Sequence, residues 1–289
     1  MKGIVLAGGT GSRLWPITKG TSKQLLPIYD KPLIHYPIGT LMLAGIRDIF
    51  VITTPEDAPT FKRLLGDGSD IGVNFNYGVQ ESPRGIGEAF VIAEDFIGDD
   101  EVALILGDNL FHGHGLGTQL KEIRNVLGAE IFAYSVSDPE RYGVVDFDKS
   151  GVAHSIEEKP LLPKSSYAIP GLYFYDNHVI EIAKNTPPSA RGEIEITTIN
   201  KTYLESGLLK VRVLPRGTMW LDTGTIESLN AASNYVKIIE ERQGNKISCL
   251  EEISWRNKWI SDSELKKIAN LFNTNEYGIY LSKLTAGSN

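Results

Sequence analysis

Three glycines and two basic residues follow the first apolar run of the sequence and form its strongest chemical signal. The run covers residues 3–7 and is typical of a strand buried on both faces. Beyond it lie Gly8, Gly9, Gly11, Arg13 and Lys23. Glycines let backbone N–H groups approach phosphate oxygens closely, and arginine offers a forked cation that suits phosphate. The segment therefore predicts a phosphate-binding loop at the carboxyl end of a buried strand.

Two other glycine-rich signatures fit this segment poorly. A dinucleotide-binding fingerprint needs a third glycine where Leu14 stands and a helix directly after the turn, whereas Pro16 prolongs the loop. The GxxxxGK(S/T) pattern of P-loops is absent from the sequence. A plain surface loop is the structural alternative, but a loop of about 15 residues inside a compact fold is usually functional.

Two aspartates next to predicted strands form the second signal. Asp108 follows the apolar run 102–106, and Asp222 precedes a long predicted helix. In a parallel sheet Asp108 shares an edge with the glycine loop, where a carboxylate beside phosphates is a natural Mg²⁺ ligand. The structural alternatives are an Asx turn at Asp108 and helix capping at Asp222, although Thr225 is the better-placed cap. Two such aspartates could share one hard cation.

Two charged or metal-binding patterns carry less weight. In the segment 157–160 a carboxylate could bind sugar hydroxyls and an ammonium group a phosphate, and the alternative is a solvated turn. His112 and His114 lack a third candidate ligand, so the sequence disfavours a metal pair there.

Strand-like and helix-like segments alternate through the first half of the chain and would position these residues. Strands are predicted over residues 3–7, 49–52, 73–77, 102–106 and 131–136, and helices over 33–44, 58–65, 87–97 and 116–127. This alternation predicts an α/β fold with a Rossmann-like, mostly parallel central sheet flanked by helices.

The second half of the chain is less regular. Short strand-like pieces between residues 142 and 156 predict a β-rich excursion, and further elements are predicted at 173–175, 177–185, 194–205, 209–214 and 225–242. After Gly244, a capping pattern at Ser261 and Glu264 and an apolar stripe ending at Leu284 predict a C-terminal helical appendage.

The composition excludes several classes of protein. The chain has 289 residues, one cysteine and a formal net charge of −7. A single cysteine forms no internal disulfide, which favours a cytoplasmic location. The acidic balance argues against a nucleic-acid partner, and no apolar run approaches the ~18 residues that a membrane helix needs, so we also expect no membrane partner.

Motifs spread over nearly the whole chain resemble those of one family. They are Gly8-Gly9-Thr10-Gly11-Ser12-Arg13-Leu14-Trp15-Pro16, Ser22-Lys23-Gln24-Leu25-Leu26-Pro27, Leu106-Gly107-Asp108-Asn109, Glu157-Glu158-Lys159-Pro160, and the segments 138–145, 171–175 and 220–225. Together they are similar to the signature of the sugar-1-phosphate nucleotidyltransferases.

The resemblance implies a reaction between a nucleoside triphosphate and a sugar phosphate. The members that the motifs match best imply the substrates: dTTP and α-D-glucose 1-phosphate would give dTDP-glucose and pyrophosphate, as the first step of dTDP-deoxysugar biosynthesis. It also implies Mg²⁺ dependence, a homotetramer and feedback by a downstream dTDP-sugar. A catalytic domain over residues 1–244 would hold a nucleotide-binding part (about 1–137) and a sugar-phosphate part (about 138–244), with 245–289 as a tail for assembly and regulation.

The resemblance further implies a role for each residue that matches a family motif. The implied catalytic cations are Arg13, Lys23 and Lys159, with Arg13 the principal stabiliser of the transition state. The implied nucleotide contacts are Leu6, Gly8, Gly9, Gly11, Arg13, Gln24, Gln80, Gly85 and Asp108, with Gln80 reading the thymine edge. The implied sugar-phosphate contacts are Tyr142, Gly143, Glu158, Lys159, Tyr173 and Arg191, and the implied Mg²⁺ ligands are Asp108 and Asp222.

Two segments depart from the usual family sequence, and three other functions stay open. Gly85-Ile86-Gly87-Glu88-Ala89 lies on the base side, and residues 111–115 lie in the region of the family's regulatory site. The alternatives are a UTP- or CTP-preferring enzyme of the same type, a non-catalytic sensor of sugar nucleotides, and an NAD-dependent dehydrogenase. The missing third glycine disfavours the dehydrogenase.

Overall fold

A computed structural model describes residues 1–9 and 11–286 of the chain. Thr10 of the glycine-rich segment and residues 287–289 of the predicted tail lie outside the described residues. The strands are β1 (Lys2–Ala7), β2 (Pro27–Ile28), β3 (Lys31–Pro32), β4 (Asp48–Thr53), β5 (Asn74–Val79), β6 (Val102–Leu106), β7 (Asn109–His112), β8 (Ala129–Ser135), β9 (Gly143–Phe147), β10 (Ala153–Glu158), β11 (Tyr167–Ala168), β12 (Leu172–Tyr175), β13 (Leu209–Val213) and β14 (Met219–Asp222).

Helices connect and cover these strands. The α-helices are α1 (His35–Leu43), α2 (Ala58–Leu65), α3 (Glu88–Ile92), α4 (Glu94–Ile97), α5 (Leu116–Lys121), α6 (Val179–Asn185), α7 (Ile196–Glu205), α8 (Ile226–Gln243), α9 (Leu250–Arg256), α10 (Asp262–Leu271) and α11 (Glu276–Ala286). None of the helices in the described residues is both long and apolar enough to cross a membrane.

Ten strands of the described chain form one sheet, in the order β10-β9-β11-β8-β12-β6-β1-β4-β5, with β13 paired to β8. β1 lies between β4 and β6 and pairs with both in parallel. The pairings make β10, β11 and β12 run against the remaining strands of the sheet. The predicted α/β fold with a mostly parallel central sheet is therefore confirmed.

The central strands are buried on both faces. Ile4 and Val5 are neighbours on β1, both are fully buried, and they belong to two different apolar clusters. Leu104 and Ile105 on β6 divide between the same two clusters. Because helices cover both faces, these strands appear in the sequence as continuous apolar runs rather than as alternating ones.

Two predicted helices are shorter than expected. Residues 87–97 form α3 and α4 rather than one helix, because Ala93 between them leaves the helical region with φ −95° and ψ 11°. α5 ends at Lys121, because Asn125 and Gly128 take left-handed backbone conformations that a right-handed helix does not contain. The sequence patterns also predicted neither α9 nor the strands β7 and β14.

Helices α9, α10 and α11 form the predicted appendage. The capping box is present, since the Ser261 side chain accepts from the Glu264 backbone N–H at the start of α10. Leu265 and Leu281 are buried in a small apolar cluster of the appendage, whereas Leu250 of α9 joins the main core. The appendage is thus packed onto the α/β unit through α9.

Candidate active site

The glycine loop and Asp108 leave the sheet at the same edge. Leu6 of β1 pairs with Leu106 of β6, and the Gly107 N–H donates to the Leu6 carbonyl at 2.9 Å. Gly9 and Gly11 have φ values of +99° and +59°. These left-handed conformations strain any residue with a Cβ, so the turn at this edge requires glycine at both positions.

Hydrogen bonds hold the long loop in a defined shape. The Thr18 hydroxyl donates to the Gly11 carbonyl at 2.7 Å. Gln24 is buried, accepts from the Ser22 hydroxyl at 2.6 Å and points its Nε2 at the Gly8 carbonyl, 3.4 Å away. The end of the loop is therefore held against its beginning, which brings the neighbouring Lys23 to the sheet edge.

Antiparallel pairing of β7 with β14 brings the two predicted aspartates together. Asp222 stands opposite Asn109 in this pairing. Both the backbone N–H and the hydroxyl of Thr223 donate to the Asp108 carbonyl, at 3.1 and 3.0 Å. Thr225 caps α8, as the sequence predicted, and leaves the Asp222 carboxylate free for another role.

The pKa values of the two carboxylates are shifted in opposite directions. Burial alone would raise the pKa of Asp108, but its ion pair with Lys23 lowers that pKa overall. Burial and the negative charge of Asp108 raise the pKa of Asp222, and the nearby cations Arg141, Lys23 and Arg13 offset this only in part. Mutual repulsion of this kind marks a position where a cation between the carboxylates would be stabilised.

The guanidinium of Arg13 and the carboxylate of Asp222 both lie beside Gly224. A Cβ added to Gly224 would stand 3.5 Å from both terminal nitrogens of Arg13 and 3.4 Å from Asp222 Oδ2. These are ordinary van der Waals distances, so Gly224 lies directly beside both groups. Arg13 and Lys23 thus both approach the two carboxylates from the glycine-rich loop.

Residues from β9, β10 and α7 form the second half of the site. The Thr197 hydroxyl donates to Glu158 Oε2 at 2.6 Å, and a Cβ on Gly143 would stand 3.3 Å from the same oxygen. Lys159 has φ +44° and lies 3.7 Å from Glu158 Oε1. A left-handed lysine is strained, and such strain is concentrated at functional sites.

Aromatic and basic side chains complete this half. Burial raises the pKa of Tyr173, and burial together with Asp222 raises that of Tyr142 to about 12, so both remain neutral hydrogen-bonding groups at physiological pH. Arg191 forms ion pairs with Glu195 at 2.8 Å and Glu193 at 3.4 Å. Both acidic partners are close to Arg191 in the sequence, since Glu195 follows it by four residues, and the motifs gave neither carboxylate a role.

At the other end of the site, Gln80 follows β5 and faces the glycine loop. Its backbone N–H donates to the Thr53 carbonyl at 2.9 Å, which ties it to the neighbouring strand β4. Its side-chain amide donates to the Gly85 carbonyl at 3.1 Å and to Glu88 at 2.8 Å. Sequence reasoning singled out Gln80 and Gly85 but gave Glu88 no role.

Two adjoining cavities bring all of the predicted site residues together. A cleft of about 390 Å³ holds most of them: Leu6, Gly8, Gly9, Arg13, Gln80, Gly85, Asp108, Tyr142, Gly143, Glu158, Lys159, Tyr173, Arg191 and Asp222. A cavity of about 310 Å³ shares Gly8, Gly9, Arg13 and Asp108 with it and adds Gly11, Lys23 and Gln24. Arg141, Thr197 and Asn200 also line the cleft, and the motifs gave none of them a role.

The donor set suits a divalent cation that also binds substrate. In residues 1–9 and 11–286, no group of three or more His, Cys, Asp or Glu side chains is arranged to hold a metal ion. Asp108 and Asp222 would supply two carboxylates, and phosphate and water would fill the remaining positions. Mg²⁺ is commonly bound in this way, through one or two carboxylates plus substrate phosphates.

Comparison with known proteins identifies the family. The Nucleotidyl transferase family profile matches residues 2–238. Glucose-1-phosphate thymidylyltransferase of Mycobacterium tuberculosis is 58% identical over 98% of this chain and 99% of its own length. A solved structure from Bacillus anthracis, described as a glucose-1-phosphate thymidylyltransferase in complex with sucrose, has a TM-score of 0.75 and 44% identity, covering 81% of this chain and 94% of that chain.

A more distant solved structure shares the same fold. UDP-glucose pyrophosphorylase complexed with UDP-glucose has a TM-score of 0.71 and 28% identity, covering 82% of this chain and 98% of that chain. The family and enzyme class predicted from the sequence motifs are confirmed by these relatives. The chain is therefore an enzyme of the nucleotidyl transferase family, to which the glucose-1-phosphate thymidylyltransferases also belong.

Proposed function

We propose that this enzyme joins dTTP and α-D-glucose 1-phosphate to give dTDP-glucose and pyrophosphate. The observation that carries the proposal is the junction of the two cavities at Arg13 and Asp108. One cavity offers cations to a triphosphate. The cleft offers one end lined by Gln80 for the base and another lined by Glu158 for the sugar. Products of this type feed dTDP-deoxysugar biosynthesis, and the enzyme would act in the cytoplasm.

The glycine loop is proposed to bind the triphosphate. Backbone N–H groups at Gly8, Gly9 and Gly11 can approach phosphate oxygens because no Cβ intervenes. Arg13 and Lys23 would neutralise the same phosphates, and Lys23 would exchange its ion pair with Asp108 for a phosphate partner. Leu6 and Gln24 would support the nucleoside beside this loop.

The other end of the cleft is proposed to bind the sugar phosphate. Glu158 would accept from sugar hydroxyls, with its orientation fixed by Thr197. Lys159 and Arg191 would bind the phosphate, and Arg191 would leave its ion pair with Glu195 to do so. Tyr142, Gly143 and Tyr173 would form the walls of this pocket.

The chemistry proposed is in-line attack by a phosphate oxygen of the sugar phosphate on the α-phosphorus of dTTP. A phosphate monoester has a second pKa near 6 and is mostly dianionic at neutral pH, so the nucleophile needs no general base. The chain's own residues hold two mutually repelling anions in line and neutralise the charge that develops. Asp108 and Asp222 would hold Mg²⁺, whose charge, when bound, offsets that of the phosphates.

Discrimination between dTTP and UTP is expected to be partial. The bases differ by one methyl group, and a contact with one methyl is worth about 1–3 kcal/mol. The relative that binds UDP-glucose shares this fold, which supports some tolerance of uridine nucleotides. A non-catalytic sensor is disfavoured because Arg13, Lys23, Asp108 and Asp222 are all present at one site.

A separate cavity of about 460 Å³ is the proposed site of feedback by a dTDP-sugar. It lies between the segment 111–118 and the start of the tail. Lys121, Lys246 and Arg256 line it and offer positive charge to a diphosphate. The tail 245–289 would thus serve regulation, and also assembly of a homotetramer, while residues 1–244 would form the catalytic domain. Sedimentation of the purified chain tests the tetramer.

A matrix of activities tests the proposed function. Pyrophosphate release is measured with dTTP, UTP, dCTP and ATP, each with glucose 1-phosphate, galactose 1-phosphate and mannose 1-phosphate, in the presence of Mg²⁺. We expect the highest kcat/KM for dTTP with glucose 1-phosphate. Higher kcat/KM with UTP would favour the uridylyltransferase, and binding of dTDP-glucose without turnover would favour the sensor.

A further inference from the structure

Asn200 is a nearly buried side chain at the end of the cleft where Glu158 lies. It is 1% exposed and lines the cleft from helix α7. Thr197 precedes it by three residues on the same face of α7 and donates to Glu158 Oε2. Asn200 therefore belongs to the wall of the pocket that Glu158 and Thr197 form.

One hydrogen bond fixes the orientation of the Asn200 amide. The hydroxyl of Tyr175, which is fully buried, donates to Asn200 Oδ1 at 2.6 Å. Within the described part of the chain no other acceptor receives this hydroxyl hydrogen, so a reversed amide would leave it unpaired in the core. The carbonyl end of the amide therefore faces Tyr175, and the NH₂ end is directed away from it.

The NH₂ group of Asn200 has no hydrogen-bond partner among the described residues. An amide nitrogen carries two donor hydrogens, and a nearly buried donor without an acceptor costs free energy. In the described chain, the side-chain nitrogens and oxygens that are both unpaired and fully enclosed belong to His35, so the Asn200 nitrogen stays accessible from the cleft. A ligand in the cleft can supply the missing acceptor.

We propose that Asn200 is a further specificity residue, whose NH₂ group donates to the oxygen of one sugar hydroxyl. A carboxylate such as that of Glu158 only accepts and an amide NH₂ only donates, whereas a hydroxyl does both. The two side chains together therefore match the hydrogen-bonding capacity of a sugar. A sugar that lacks the bound hydroxyl leaves the buried amide unpaired, and a site built in this way rejects such an analogue. The inference rests on the proposed binding of the sugar phosphate at Glu158.

The four monodeoxy analogues of glucose 1-phosphate, which lack the hydroxyl at C2, C3, C4 or C6, test this role. Pyrophosphate release is measured with saturating dTTP and Mg²⁺ in wild type and in Asn200→Ala. The variant should lower kcat/KM for glucose 1-phosphate about tenfold or more. For one analogue, kcat/KM of the wild-type enzyme should fall about tenfold or more, whereas the same deletion should cost Asn200→Ala less than about threefold, because its donor is already absent.

Asn200→Leu is a second variant that fills the volume of the amide without polar atoms. It should single out the same analogue, and it keeps the test decisive if the alanine variant does not fold. Tyr203→Phe is the matched control for the loss of a buried hydrogen bond from α7. Tyr203 is 2% exposed, its hydroxyl donates to Asp176 at 2.8 Å, and neither residue lines the cleft. This control should keep kcat/KM for every sugar phosphate within about twofold of wild type.

The pattern across the analogues distinguishes a contact with the sugar from a structural role. If wild type and the Asn200 variants respond equally to all four deletions, Asn200 does not bind a hydroxyl and the inference is overturned. An unchanged kcat/KM for glucose 1-phosphate in Asn200→Ala would overturn it as well. A wild-type enzyme that turns over no glucose 1-phosphate would overturn the proposed function instead, so the two failures are distinct.

Discussion

Replacing Arg13 by alanine is expected to slow catalysis far more than it weakens binding. Arg13 stands beside Gly224 and Asp222, where the two cavities join. This is the point at which the α-phosphorus of the nucleotide and the phosphate of the sugar would meet. In the proposed reaction its guanidinium would therefore lie where negative charge develops, rather than at the distal end of either substrate.

The size of the effect follows from that position. Two unit charges 4 Å apart interact by about 4 kcal/mol at an effective dielectric constant near 20. Arg13 is exposed, so solvent and salt reduce this value. A loss of about 2.7–4 kcal/mol, equivalent to about 10²–10³ in kcat, is the scale for removing one preorganised donor from a developing oxyanion.

Steady-state and single-turnover measurements of pyrophosphate release test this expectation. kcat should fall by about 10²–10³ in Arg13→Ala, with KM for dTTP changed much less. Arg13→Lys should recover part of the rate, because it restores charge but not the forked geometry. Arg63→Ala, at an exposed position of α2, is the control and should retain wild-type kcat. A raised KM with near-normal kcat in Arg13→Ala would refute a role in the transition state.

Three further outcomes are expected. Asp108→Asn and Asp222→Asn should each abolish turnover that depends on Mg²⁺, and an unchanged Mg²⁺ titration would contradict their assignment as ligands. Glu158→Gln should raise KM for glucose 1-phosphate about tenfold or more, on the scale of a hydrogen bond to a charged group, while KM for dTTP stays constant in the same assay. Burial alone would raise the pKa of Asp30, but two neighbouring lysines lower it overall. The ionised carboxylate therefore stabilises the folded state at pH values above the pKa that Asp30 has in the unfolded chain, and this stabilisation is lost as the pH falls through its lower pKa in the folded chain. In urea unfolding measured from pH 7 to pH 3, the free energy of unfolding should therefore fall less in Asp30→Asn than in wild type.

The parallel half of the sheet was predictable because its strands are buried on both faces. Residues 3–7 and 102–106 are continuous apolar runs in the sequence, and both form central strands. Once these strands are parallel neighbours, Gly8 and Asp108 must meet at one edge. Local sequence therefore carried enough information to place the phosphate loop and one of the two carboxylates.

The contact between Asp108 and Asp222 was not predictable from periodicity. It depends on pairing of β7 with β14, two short strands far apart in the chain. Short strands leave little periodic signal, and a pairing between distant segments leaves no local trace. The partner Thr197 of Glu158 was missed for the same reason, since this contact joins residues 39 positions apart in the chain.

The ion pairs of the site explain how a chain with a net charge of −7 can bind two polyanions. In the described structure Lys23 is paired with Asp108, Lys159 lies near Glu158, and Arg191 is paired with Glu195. Each cation is thus neutralised locally and held near the place where a phosphate would bind. In the proposed function, substrate binding would exchange a carboxylate partner for a phosphate partner, so only the difference between the two interactions would contribute to affinity. The released carboxylates of Asp108 and Glu158 would then be available to the metal ion and to the sugar, which would couple occupation of one part of the site to the next.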